Sequence, residues 1–310
     1  IFFYVYGSSL KNSFYKVDNK TIDYKLRIIG SNITLDRFYS NTNTDSVIKD
    51  LIKLSSPDSS KKIIFVWPEG ILPNISKEEL KQYSSLFHQN FNENHLFVIG
   101  INNKVINSGS VNYFNSLSVY DYELNVLSSY NKINLVPFGE FLPFENILKV
   151  IGLKPLTNSY QSFSKGKIRE VIEIKLQNST IKILPLICYE IIYSGKLFNN
   201  SSFDFIINIS EDGWFGKSIG PKQHFEHSIL RAIENGKYIV RSSNNGIAAI
   251  INPIGVVEQS VDFGKSGYVE LMEMRKIQPT IFSKYGNKIF GLLILLYILL
   301  IFSFNRIKNE

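Results

Sequence analysis

Ile181-Lys182-Ile183-Leu184-Pro185-Leu186-Ile187-Cys188-Tyr189-Glu190 is a short, near-continuous apolar run that ends on the single cysteine of this 310-residue chain. A run of this length, rich in Ile and Leu, reads as a strand covered on both faces, the kind found in parallel sheets. Similar runs recur at 25–29, 63–66, 95–99, 117–120, 205–209, 238–241 and 247–251. Helical periodicity lies between them at 45–54, 76–87 and 221–235. Ser76-Lys77-Glu78-Glu79 offers a capping-box start, and the last helix opens with Pro221 in its first turn and closes before Gly236. Strands alternating with helices predict an α/β or layered fold. Only residues 138–166, rich in Pro, Phe and Leu, resist that scheme and read as a long excursion from the core. There is no internal repeat or low-complexity linker.

One thiol cannot form an internal disulfide, and it does not make a conventional structural zinc site, so Cys188 is either a buried inert thiol or a nucleophile. Free cysteine is among the most buried residue types, and the bare residue therefore favours the inert reading. Two other segments change that balance. In Val66-Trp67-Pro68-Glu69-Gly70, Pro and Gly turn the chain off a strand and leave Glu69 at its exit. In Tyr130-Asn131-Lys132-Ile133-Asn134-Leu135-Val136-Pro137-Phe138-Gly139-Glu140, Lys132 and Glu140 follow another strand candidate. Taken singly, Glu69 reads as a solvated turn residue, Lys132 as a surface cation and Glu140 as a loop carboxylate. Together they place an acid, a cation and a thiol where ligands bind in open α/β sheets, at the carboxyl ends of the strands.

The net charge of +7 comes mostly from Lys scattered among Ser and Asn. There is no basic stripe or zinc-finger spacing, so nucleic acid is not an expected partner, whereas an anionic membrane surface suits the balance. The amino end, Ile1-Phe2-Phe3-Tyr4-Val5-Tyr6-Gly7, reads either as a core strand or as the tail of a membrane helix. At the other end no charge falls between Lys288 and Arg306, and residues 289–304 are apolar on every face. Bracketed by Lys284, Lys288, Arg306 and Lys308, that stretch predicts a C-terminal transmembrane helix at the short edge of what spans a bilayer. The expected organisation is a membrane-proximal segment or linker over 1–22, a catalytic domain over 23–280, and the helix with its tail over 281–310.

The order Trp-Pro-Glu, then Lys-x-x-Leu-Val-Pro-Phe-Gly-Glu, then Ile-Cys-Tyr-Glu resembles the Glu-Lys-Cys signature of the nitrilase superfamily. More narrowly it is similar to the apolipoprotein N-acyltransferases. Asp212-Gly213-Trp214-Phe215-Gly216, Gln223-His224, Arg231-Ala232-Ile233-Glu234, Arg241-Ser242-Ser243-Asn244-Asn245-Gly246-Ile247 and Arg27-Ile28-Ile29-Gly30-Ser31-Asn32-Ile33 extend the likeness. The resemblance implies a nitrilase-type α-β-β-α sandwich whose catalytic face lies on the outer, periplasmic side of the bacterial inner membrane. It implies catalytic roles for Glu69, Lys132 and Cys188. Supporting or substrate-binding roles fall to Glu140, Tyr189, Glu190, Trp214 and Phe215, with no metal and no cofactor.

The chemistry has its own logic. A thiol near its free pKa is only partly thiolate at neutral pH and needs an adjacent base, for which Glu69 serves. Attack on a carbonyl creates an oxyanion that Lys132 and the backbone after Cys188 can stabilise. Phe138, Phe141, Phe144, Trp214 and Phe215 read singly as core and as a group as an entrance for acyl chains. The function implied is transfer of a fatty acyl chain from a phospholipid, through a Cys188 thioester, to the N-terminal amine of a diacylglyceryl-cysteine lipoprotein. The alternatives are a membrane-anchored carbon-nitrogen hydrolase acting on a small amide, and an inactive remnant that binds membrane or another chain. Two departures stand out: Glu211-Asp212 replaces the family's usual Asn-Asp, and several membrane helices expected ahead of the domain are reduced to at most the end of one. The chain is accordingly expected to be a fragment, a truncated product or half of a split protein, with a separate chain as a candidate source of those helices.

Overall fold

In the computed structural model, which describes residues 1–39, 43–107, 110–144, 152, 162–195, 197 and 202–309, the strand Ile63–Val66 is buried at every position. Ile63 and Phe65 pack with Val47, Ile48, Leu51 and Ile52 of a helix on one side. Ile64 and Val66 turn the other way and meet Ile183 and Ile207, from strands of the opposite half of the molecule. That is why the run is apolar without alternation: both faces are covered, and each fully buried side chain contributes about 1.5–3 kcal/mol.

The strands are β1 Lys20–Ser31, β2 Ile63–Val66, β3 His95–Asn107, β4 Ser110–Tyr120, β5 Val126–Asn131, β6 Ile172–Lys175, β7 Thr180–Ile187, β8 Phe205–Glu211, β9 Ile239–Asn244, β10 Ala248–Ile251, β11 Val257–Val261 and β12 Gly267–Met274. The helices are α1 Phe2–Lys16, α2 Thr44–Ser55, α3 Ser84–His88, α4 Gly220–Asn235, α5 Ile281–Tyr285 and α6 Lys288–Asn309. Strand order along the sheet is β5-β4-β3-β2-β1-β9-β8-β7-β6, with β12 beside β1 and β10 between β9 and β11. Strands β1, β2 and β3 run parallel, as do β7, β8 and β9. The halves join where Gly30 and Ser31 pair with Ser243 and Asn244. One apolar cluster, with Leu26, Val98, Ile183 and Val240, lies between the halves. A second lies under α2 and α3, and a third under α4. The layers are therefore α-β-β-α, as the sequence implied.

The continuous apolar strands and the helices at 45–54 and 221–235 lie where expected. Short edge elements such as β11, whose three central residues are exposed, carry too little apolar signal to be read locally. The helix expected at 76–87 is instead a 3₁₀ turn, Glu79–Tyr83, followed by α3. The capping contact is present, with the Ser76 N–H donating to Glu79 Oε2 at 2.7 Å. Only Leu80 and Phe87 are buried in those two elements, little packing to sustain a long helix. Most of the excursion at 138–166 lies outside the described residues.

At the amino end α1 replaces the alternative of a strand, and the Tyr6 hydroxyl accepts a hydrogen bond from the Ile281 N–H at 3.1 Å, tying α1 to α5. In α6 the apolar side chains from Phe290 to Phe304 are exposed. Among the described residues no helix is long and apolar enough to cross a membrane. The apolar part, 289–304, rises about 24 Å against a hydrocarbon thickness of about 30 Å.

Candidate active site

Two strands from each half deliver the site. β2 ends at Val66, and the chain turns through Pro68, Glu69 and Gly70, the last at φ +52°. Gly100 of β3 makes the turn possible, because a Cβ there would sit 2.4 Å from both Glu69 Cα and the Pro68 carbonyl oxygen. β5, which runs in the same direction as β3, hands over to Lys132, whose N–H donates to the Asn115 carbonyl at 2.9 Å. From the other half, β7 ends at Ile187, and Cys188 opens a 3₁₀ turn, Cys188–Ile192, with φ +47°. A non-glycine residue in that left-handed region is strained, and such strain clusters at functional sites. β8 ends at Glu211, beside Asp212. All four positions lie at the carboxyl ends of strands that share one direction.

Lys132 is the centre of charge. Its Nζ donates to Glu69 Oε1 at 3.1 Å and lies 3.0 Å from each oxygen of Glu140. Asn115 Nδ2 donates to Glu69 Oε1 at 2.7 Å and to Glu140 Oε1 at 2.6 Å. The Glu211 N–H donates to Glu69 Oε2 at 2.9 Å, and the Val136 N–H to Glu140 Oε2 at 2.9 Å. Burial alone would disfavour the Lys132 ammonium, but Glu140 and then Glu69 outweigh it and hold the pKa well above the usual lysine range. Burial pushes the Cys188 thiol well above its usual range, the Glu69 charge adds to that, and Lys132 pulls partly the other way. Cys188 therefore rests as a thiol, and its activation needs proton removal during attack rather than a standing thiolate.

Glu69, Lys132, Glu140 and Cys188 line one cavity of about 790 Å³, within the range of small-molecule sites. Phe38, Val136, Pro137, Phe138, Phe163, Tyr189, Trp214 and Phe215 supply apolar wall, with Asn74, Asn102 and Tyr113 among its polar groups. Trp214 packs on Phe38 at 4.9 Å between ring centroids, and Phe215 on His224 at 5.5 Å. Phe141 and Phe144 are not on this wall, and Phe144 is 81% exposed. Among the described residues no cluster of His, Cys, Asp or Glu could hold a metal ion.

Glu190 is not on the wall. It is fully buried behind it and accepts from Tyr130 Oη at 2.7 Å, Arg169 at 3.0 Å, and the N–H groups of Ile133 at 3.0 Å, Asn134 at 3.2 Å and Ile187 at 2.9 Å. It straps the Lys132 segment to the Cys188 turn. Glu211 does line the cavity, but the charge it adds is matched: Arg37 pairs with it, Asn244 donates to it at 2.7 Å and the Gly213 N–H at 2.8 Å. Burial raises the Glu211 carboxyl, with Arg37 opposing. Sequence reasoning missed Asn115, Arg37 and any role for His224. Asn115 sits mid-strand with no local motif, and Arg37 is recognisable only once Glu211 is known to be buried.

Residues 63–270 match the family model described as carbon-nitrogen hydrolase. The chain belongs to that family. Curated relatives include an apolipoprotein N-acyltransferase of Bradyrhizobium diazoefficiens, 32% identical over 89% of this chain and 53% of the relative. Another, from Rickettsia prowazekii, is 34% identical over 80% of this chain and 49% of the relative. The chain thus spans about half the length of the curated relatives it matches. Among solved structures it is similar to an amidase from Nesterenkonia sp. AN1, with the acetamide moiety of fluoroacetamide added covalently at that protein's active site cysteine. The TM-score is 0.54 at 12% identity, covering 87% of this chain and 95% of that one, a likeness of fold.

Proposed function

We propose that this chain moves a fatty acyl group from a phospholipid, through a thioester on Cys188, to the amino terminus of a diacylglyceryl-cysteine lipoprotein. The observation that carries the reading is a carboxylate, an ammonium and a thiol on one cavity whose walls are largely aromatic and aliphatic. The names of the curated relatives support the same reaction. In the first half, Cys188 Sγ attacks the ester carbonyl while Glu69 takes the thiol proton. The carbonyl oxygen becomes an oxyanion beside Lys132 and the Tyr189 N–H. Collapse breaks the ester C–O bond, and Glu69 returns the proton to the departing lysophospholipid oxygen. In the second half, the acceptor amine attacks the thioester and gives a proton to Glu69. The C–S bond breaks, and that proton restores the thiol. Glu140 and Asn115 orient Lys132 and Glu69.

The exposed apolar side chains of α6 support attachment to a bilayer, in this reading the periplasmic face of the inner membrane, where a phospholipid donor resides. The match to the carbon-nitrogen hydrolase family favours one alternative, hydrolysis of a small amide. Donor specificity separates them. Acyl transfer predicts turnover with phospholipid in mixed micelles and none with soluble amides; amide hydrolysis without lipid would refute it.

A further inference from the structure

Beside the Cys188 turn lies a buried charged network that the three-residue chemistry leaves unused, and one of its members, His224, also lines the cavity. His224, on α4, has Nδ1 2.8 Å from Asp212 Oδ1 and Nε2 3.2 Å from the Cys188 carbonyl oxygen. Asp212 also accepts from Arg241 at 3.0 and 2.8 Å, from Ser210 at 2.7 Å and from Ser243 at 2.9 Å. Burial works against the Asp212 carboxylate, but the Arg241 guanidinium and the donated hydrogen bonds favour it, and its pKa lies well below the usual carboxylate range. Both oxygens that face the imidazole therefore only accept. Arg241 also stands 3.2 Å from Nδ1, but a bare Nδ1 would set its lone pair against the carboxylate at the shorter distance. Arg231, on the same helix as His224, is paired with Glu234 at 2.9 Å, and burial with the Arg231 charge holds the neighbouring His227 below the usual histidine range.

We infer that His224 is a positioning residue for Cys188, held as an imidazolium that donates from both ring nitrogens, to Asp212 and to the Cys188 carbonyl. The peptide from Cys188 to Tyr189 is planar and trans, so fixing its carbonyl toward His224 fixes the Tyr189 N–H in the opposite direction. That N–H is the backbone oxyanion donor of the proposed reaction, on which this consequence for turnover rests. The same contact tethers a strained residue and sets a positive charge 3.2 Å from the carbonyl oxygen of the nucleophile's own residue.

Two readouts test this without any lipid or acyl donor, so their outcome is separate from that of the acyl-transfer reading. In the full chain labelled with 15N-histidine, four histidines contribute. His95 supplies an internal contrast, since its Nδ1 accepts from the Asn92 N–H at 3.1 Å and is bare. At neutral pH one histidine should show two protonated ring nitrogens, and H88Q and H227Q should leave that signature in place. A bare ring nitrogen on every histidine would overturn the inference. The second readout is alkylation of the sole cysteine by iodoacetamide. H224Q keeps an amide donor for the carbonyl but carries no charge, and should react about tenfold more slowly than the parent at the same pH. A rate within about twofold would leave His224 with a merely structural contact and overturn the electrostatic role.

Discussion

Replacing Lys132 by Met removes the ammonium that Glu69 and Glu140 share at 3.1 and 3.0 Å. From sequence alone this variant is expected to block acylation and leave the fold intact. The structure changes the second half of that expectation. Lys132 is 1% exposed, and both carboxylates are buried with it. Deleting one partner of a buried ion pair leaves an uncompensated charge and costs about 3–5 kcal/mol. For a domain of this size that lowers the melting temperature by on the order of 10 °C. Asn115 still donates to both carboxylates, so part of the network survives. In the parent, folding raises the Lys132 pKa, so that contribution is complete below the unfolded lysine value of about 10.4 and is lost as pH climbs through the folded one. Urea denaturation followed by tryptophan fluorescence at several pH values measures both. A loss under about 1 kcal/mol, or a parent whose stability does not fall as pH climbs above the ordinary lysine range, would overturn this expectation.

Glu69→Gln separates proton transfer from thiol acidity. The Glu69 charge raises the Cys188 pKa, so E69Q should alkylate with iodoacetamide at pH 8 at least as fast as the parent. Acyl-adduct formation should nevertheless fall by about 10²–10⁴, and a parallel drop in both rates would contradict the assignment. Glu190→Gln replaces an oxygen that accepts from Ile187 or from the Lys132 segment with a donor, stranding a buried N–H. The denaturation midpoint should fall by an amount worth about 1–3 kcal/mol, with slower Cys188 alkylation; unchanged stability would rule out the strap. Gly100→Ala forces a Cβ against the Glu69 backbone. Adduct formation should drop further than stability does, whose expected loss is about 1–3 kcal/mol, and normal adduct formation would show that the turn tolerates the shift.

The buried strands were legible because burial on two faces leaves an unbroken apolar run, as in β2 and β8. β6, which alternates buried and exposed over four residues, and β11 were not, since their pairing is set by neighbours far away in sequence. Glu69, Lys132 and Cys188 could be picked out because each follows a strand and breaks its pattern. The roles of Asn115, Arg37 and Glu190 depend on distances between strands. Glu190 in particular reads as a site carboxylate beside the cysteine, yet the 3₁₀ turn points it back under the sheet into five hydrogen bonds. The C-terminal helix shows the same limit: hydropathy gives its position, while its uncharged length stops short of a full crossing.

Acyl transfer by the proposed route requires Cys188 to carry the acyl group between donor and acceptor. Intact-mass analysis of the membrane-extracted protein after incubation with phospholipid, followed by peptide mapping, tests it most directly. The expected result is a gain of one acyl chain on Cys188, released by hydroxylamine and absent from Cys188→Ala. An unmodified Cys188 under turnover, or an adduct that persists in Cys188→Ala, would contradict it.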